Sequence, residues 1–129
     1  MMATEEMVST NAIIERIRKH AKDIDNTRVY WVMKTMKVGH VSSKSVDFMK
    51  TLIAVNDFGL PITASLITYL RGYGESSSLA TLHAFGDKHL ITLKRRDGGG
   101  QKGTPYIWFL SQIFAEMYYG KGRRGDFEQ

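Results

Sequence analysis

The stretch ITLKRRDGGGQKGTPYIWFL, residues 91 to 110, does most to confine what this chain can become. β-Branched, aromatic and leucine residues at its two ends favour extended backbone. The three consecutive glycines between them suit neither a helix interior nor a strand interior. Two strands joined by a tip make a hairpin, predicted near 89–94 and 105–110. A turn that only reverses the chain is satisfied by a pair such as Asn-Gly. The connection here is far longer, and Lys94, Arg95, Arg96 and Lys102 stand in or beside it against one acid, Asp97. Its length and charge predict a task for the tip beyond chain reversal.

With 129 residues the chain amounts to one domain. A composition of 43% hydrophobic and 24% charged residues is that of a globular protein able to bury a core without staples. The absence of cysteine excludes disulfides and thiolate metal sites and is compatible with a reducing compartment. No apolar run approaches the ~20 residues of a membrane span, and MMATEEMVST lacks the basic-then-apolar plan of a signal peptide. A soluble cytoplasmic protein with no membrane partner is expected. Lys plus Arg number 18 against 13 Asp plus Glu, a net charge of +5. That excess is modest, but it is local. Residues 88 to 124 hold Lys88, Lys94, Arg95, Arg96, Lys102, Lys121, Arg123 and Arg124 against Asp97 and Glu116.

The rest of the chain reads mostly as helix. In residues 10–25, Ile13, Ile17, Ala21 and Ile24 fall on one face, with Ser9 or Thr10 as cap. Residues 27–41 are ambiguous, because Val29, Trp31 and Met33 alternate as in a strand; an extended or partly helical link ending at Gly39 is expected. In SVDFMKTLIAVNDFG, Ser45 is the expected cap, Val46, Phe48, Met49, Leu52 and Ile53 the apolar face, and Gly59 the stop. Thr63 caps ASLITYLRGYG, with Leu66, Ile67 and Leu70 inward and Gly72 and Gly74 at its end. ESSSLATLHAFGDKHL follows, its serines placed as caps and Leu79, Leu82 and Phe85 inward. After the hairpin, Ser111 caps QIFAEMYYG, and GKGRRGDFEQ is a charged tail.

From residue 45 to 119 the order is thus helix, short extended piece, helix, tight turn, helix, hairpin, helix. This order resembles the winged helix-turn-helix, and its details are similar to the MarR-like and PadR-like transcription regulators. Leu82, Phe85, Leu90 and Ile91 of SSSLATLHAFGDKHLI match the recognition-helix pattern of those families, and GGGQKGTPYIWFLSQ resembles the PadR-type wing, with Leu110-Ser111 in the place of a Leu-Thr pair. His89 stands where a glycine is usual. The segment from Lys37 onward also looks similar to the small winged-helix site-binding component of archaeal plasmid segregation systems. The resemblance implies a mainly α fold with a small β-hairpin (α+β) and three segments: a helical extension over 1–44, a DNA-binding domain over 45–119 and a basic tail over 120–129.

The chemistry agrees with that implication. A helix entering the major groove needs short polar side chains outward so that its backbone can approach. Ser76, Ser77, Ser78, Thr81 and His83 lie off the apolar stripe and are the candidate recognition residues. Lys94, Arg95, Arg96, Gln101 and Lys102 are the candidate wing contacts to the minor groove or phosphates. Double-stranded DNA is therefore the expected partner, at the nucleoid, and a transcriptional regulator the expected role. A partition protein spreading from a centromere-like site, with a further protein partner, is the alternative. A protein-interaction domain without DNA contact is the second.

Dimeric binding to two-fold sites is the usual mode of such domains. The apolar stripes Ile13, Ile17 and Ile24, and Ile113, Phe114, Met117 and Tyr118, are candidate homodimer surfaces, with packing on their own domain the alternative for each. No catalytic constellation is found. GGGQKGT misses the G-x-x-x-x-G-K-[ST] pattern, because Gly98 to Gly103 is followed by Thr104-Pro105. His20, His40, His83 and His89 show no metal-ligand spacing. Neither an enzyme nor a cofactor is expected.

Overall fold

A computed structural model describes the backbone of residues 2–95 and 106–120 and the side chains of 11–94 and 106–120. Within them the chain is mainly helical with one small antiparallel sheet. The elements in order are α1 (Met2–Asp23), α2 (Asn26–Thr35), α3 (Ser43–Asp57), α4 (Ala64–Arg71), α5 (Glu75–Asp87), β1 (Ile91–Arg95), β2 (Tyr106–Leu110) and α6 (Gln112–Tyr119). No helix among the described residues is long and apolar enough to cross a membrane.

Helix α3 is the centre. Nine of its fifteen residues are buried, from Val46 to Val55, so it is wrapped on almost every side, as a helix apolar around its circumference must be. Helices α1, α2 and α4 and strand β2 pack on it. Its cap is Ser42, whose Oγ accepts from the Ser45 amide at 3.1 Å; Ser45, the expected cap, lies inside the first turn. The helix ends two residues before Gly59, whose φ of 73° lets the chain turn away.

Residues 26–35 form a helix, where an extended or partly helical link was expected. Asp25 caps α2 by accepting from the Thr27 amide at 2.9 Å. Its buried residues are Val29, Val32 and Met33, a helical spacing, while Trp31 points outward and is 60% exposed. The alternation of Val29, Trp31 and Met33 was therefore accidental. Together α1 and α2 share a single apolar core with the later helices, through Ile17, Ile24, Val29, Val32 and Met33. The expected boundary at residue 44 thus separates no two cores.

Polar ties reinforce this packing at helix ends. Arg18 of α1 donates from Nε to the Leu70 carbonyl at 3.0 Å and from Nη2 to that of Tyr69 at 2.7 Å. Arg28 of α2 donates from Nε to the Tyr118 carbonyl at 3.0 Å. Each guanidinium thus meets carbonyls at the C-terminal, negative end of another helix, α4 or α6. His20 Nε2 lies 2.7 Å from Asp57 Oδ2, and the Tyr119 hydroxyl donates to Asp57 Oδ1 while accepting from Asn56 Nδ2 at 3.1 Å. Burial, and then the bond to Asp57, push the Tyr119 phenol well above its ordinary pKa.

The hairpin pairs Ile91 with Leu110 through to Arg95 with Tyr106, close to the expected strands. A third extended piece joins it: Ile62 exchanges both backbone hydrogen bonds with Trp108, at 3.2 and 2.9 Å. That bridge fastens the α3–α4 connection to the sheet. Thr63 and Ser111 cap α4 and α6 as their sequences predict, accepting from the Leu66 and Phe114 amides at 3.2 and 3.1 Å.

Candidate nucleic-acid interface

Helix α5 packs against α4, the hairpin and α3 and buries a single stripe. Leu82 and Phe85 enter the core, and Phe85 meets Phe48 of α3 edge-on with ring centroids 5.0 Å apart. Gly86 lies so close to the sheet that a Cβ there would sit 2.8 Å from Trp108 Cζ3. His83 crosses the same indole edge-on at 5.1 Å and Tyr106 at 5.9 Å, and is itself exposed. Leu79, expected inward, is only partly buried, as is Phe109 on β2. The helix leaves through His89, whose φ is 64°, so the position where the resembled families carry glycine does need a left-handed residue here.

The start of α5 differs from expectation. Its cap is Gly74, with no side-chain cap bond, so Ser76, Ser77 and Ser78 cap nothing. The acidic Glu75 occupies the positive end and accepts from Ser65 Oγ at 3.0 Å. Ser76 and Ser77 are exposed, together with Ala80, His83 and Ala84. The two alanines complete a surface of short side chains and were missed among the polar candidates, although their spacing from Ser76 and Ser77 was legible.

Ser78 is a correction: it is 3% exposed, and its hydroxyl accepts from Thr68 Oγ1 of α4 at 3.1 Å, so it joins the two helices and cannot face a groove. Thr81 is half-buried and donates its hydroxyl to the Ser77 carbonyl at 3.1 Å. The structure therefore brings Ser76, Ser77 and His83 to one exposed side, with Thr81 at its margin.

Of the candidate wing residues, Lys94 is exposed on β1 and Arg95 belongs to β1 by its backbone. Arg96, Gln101 and Lys102 lie outside the described residues, as does the tail over 121–129. On α5 itself Glu75 and Asp87 bracket the exposed side, with Lys88 just beyond. Cationic charge near this helix thus lies on the hairpin side at Lys88 and Lys94, and also at Lys44 and Arg71, which line a pocket with Ser77 and Thr81.

Three of the candidate dimer residues are spent inside the molecule: Ile17, Ile24 and Phe114 are buried. Tyr118 is half-buried and stacks on Phe114 at 5.8 Å. Ile13, Ile113 and Met117 remain exposed. Among the described residues no three His, Asp or Glu side chains are grouped to hold a metal ion. Comparisons with protein-family models, with curated proteins and with solved structures find no match to this chain.

Proposed function

We propose that the chain is a sequence-specific double-stranded DNA-binding protein of the winged helix-turn-helix kind, acting as a transcriptional regulator. In this reading α5 enters the major groove and the β1–β2 tip is the wing. The observation that carries it is the exposed side of α5. Its serines are released from capping by Gly74, and Ser76, Ser77, Ala80 and Ala84 project so little that a base-pair edge can approach the helix backbone. Three further features support it. The α4–α5 connection is short, the Ile62–Trp108 bridge sets a third extended piece on the hairpin, and the left-handed His89 turns α5 directly into β1.

The role proposed for the tip is electrostatic. Arg95→Ala with Arg96→Ala is expected to weaken binding to all duplexes and to make the slope of log K against log salt shallower by about two units at most. An unchanged slope would remove the tip from the mechanism. The titration uses duplexes of increasing length. Saturation at one or two dimers per site is the result expected of a regulator, and continued cooperative loading on longer DNA that of a partition protein. No binding at low salt would favour the protein-interaction reading.

A homodimer is proposed through Ile113 and Met117 of α6, since Ile17 and Ile24 of α1 are already used. Ile113→Asp with Met117→Asp is expected to yield a monomer in sedimentation, and an unchanged mass rules that contact out.

A further inference from the structure

Lys50 is a buried cation with no acid paired to it among the described residues. It is 7% exposed, and its Nζ is bonded to Asn26 Oδ1 at 2.8 Å and, at 3.5 Å, to the Lys22 carbonyl. Neutral oxygens thus take the place of the carboxylate that a desolvated ammonium usually requires. The residue lines a groove of about 800 Å³ between α2 and the start of α3, within the size range of small-molecule sites. Lys44 and Arg71 line the same groove. The one acid there, Asp47, is already taken by Arg71 Nη1 at 2.8 Å. Both bonds of that guanidinium, to Asp47 and to Thr51, leave from Nη1.

Two other features of the groove are unusual on a small protein. Its walls include Tyr30, Trp31 and Tyr73, with Trp31 and Tyr73 more than half exposed and Arg71 against the Tyr73 ring at 5.2 Å. Flat aromatic surface exposed to water can stack against a planar ligand. The cap and first residues of α3, Ser42 to Lys44, line it, so the positive end of a long, well-buried helix adds to Lys44 and Lys50 and to Arg71, which is paired with Asp47. The groove thus combines cations and a helix N-terminus, which suit a multiply charged anion, with exposed aromatic rings, which suit a planar one.

We propose that this groove binds a nucleoside monophosphate, its phosphate at the α3 N-terminus among Lys44, Lys50 and Arg71 and its base against Trp31 and Tyr73. The site does not depend on the DNA-binding reading, and its test involves no duplex.

The chain has two tryptophans, Trp31 in the groove and Trp108 in the core, so their two indole N–H resonances report the site and an internal control. Titration with AMP is expected to shift the Trp31 resonance saturably and leave Trp108 in place. Adenosine and inorganic phosphate, each carrying half of the ligand, should bind at least about tenfold more weakly. Lys44→Ala, at an exposed position, should weaken AMP about tenfold while leaving adenosine unchanged. Lys50→Met should do the same where the variant keeps the wild-type Trp108 resonance. Equal curves for AMP and adenosine would overturn the proposal, as would the absence of a saturable shift at millimolar AMP. A shift of Trp31 by a single-stranded oligonucleotide but not by AMP would overturn it as well, since the groove would then read a strand.

Discussion

Helices α3 and α5 are nearly the same length, fifteen residues against thirteen, but α3 buries nine and α5 buries three. Both carry apolar residues at helical spacing and both pack against neighbours on either side in the chain. They differ in what surrounds them. Around α3 stand α1, α2, α4 and β2, whereas α5 has α4 on one flank and the hairpin on the other. A helix enclosed in this way fixes where everything else lies. One with a single buried stripe spends part of its surface on the fold and leaves the remainder exposed. On α5 that remainder is Ser76, Ser77, Ala80, His83 and Ala84.

The largest expected effect belongs to α3. Leu52→Ala, at a position with no exposure, should cost about 2–5 kcal/mol in denaturant unfolding. A cost under about 1 kcal/mol would mean that α3 is not the centre it is described to be. Next comes the close approach of α5 to the sheet at Gly86. Gly86→Ala puts a methyl against Trp108 and should destabilise by about 1–3 kcal/mol. A gain near the ~1 kcal/mol that alanine normally brings to a helix would place the sheet farther from α5.

Serines sharpen the contrast at smaller magnitude. Ser111→Ala removes the cap of α6 and should cost about 1 kcal/mol, whereas Ser76→Ala should stay within about 0.5 kcal/mol of wild type because it caps nothing. A smaller effect comes from pH at the end of α3. Burial first, and then the bond to Asp57, hold the Tyr119 phenol above its unfolded value of 10.0, so their contribution is complete below pH 10.0 and is lost as pH rises beyond it. Tyr119→Phe should flatten that alkaline decline in stability, and an unaltered decline would remove this network as its source.

Much of this was legible in the sequence where one residue type has one local use. Thr63, Ser111 and Gly72 read correctly because a hydroxyl before an apolar run caps a helix and a glycine after one ends it, here with Gly72 at φ 81°. The hairpin was legible for the same reason. Residues 26–35 were not, because Val29, Trp31 and Met33 match period two as well as Val29, Val32 and Met33 match a helix, and only the surrounding core decides. Ser78 was misread since three adjacent serines look alike until α4 is seen to cover one of them. The stripes at Ile17, Ile24 and Phe114 looked free because sequence shows that a face is apolar without showing what covers it. The groove at Lys50 had no local signature, since Trp31, Lys50 and Arg71 come together only through the packing of α2, α3 and the end of α4.

The most direct test of the central claim, that the exposed side of α5 is the DNA-reading surface, is an anisotropy titration of one selected duplex with two matched variants. Ser77→Glu adds an acid to the exposed side of α5, and Asn11→Glu adds the same charge to an exposed position on a different helix, α1. Wild type and Asn11→Glu should bind alike and steeply with salt, while Ser77→Glu, equally stable, should lose at least about a hundredfold in affinity. Equal binding by all three proteins would contradict the claim and move the contact surface off α5.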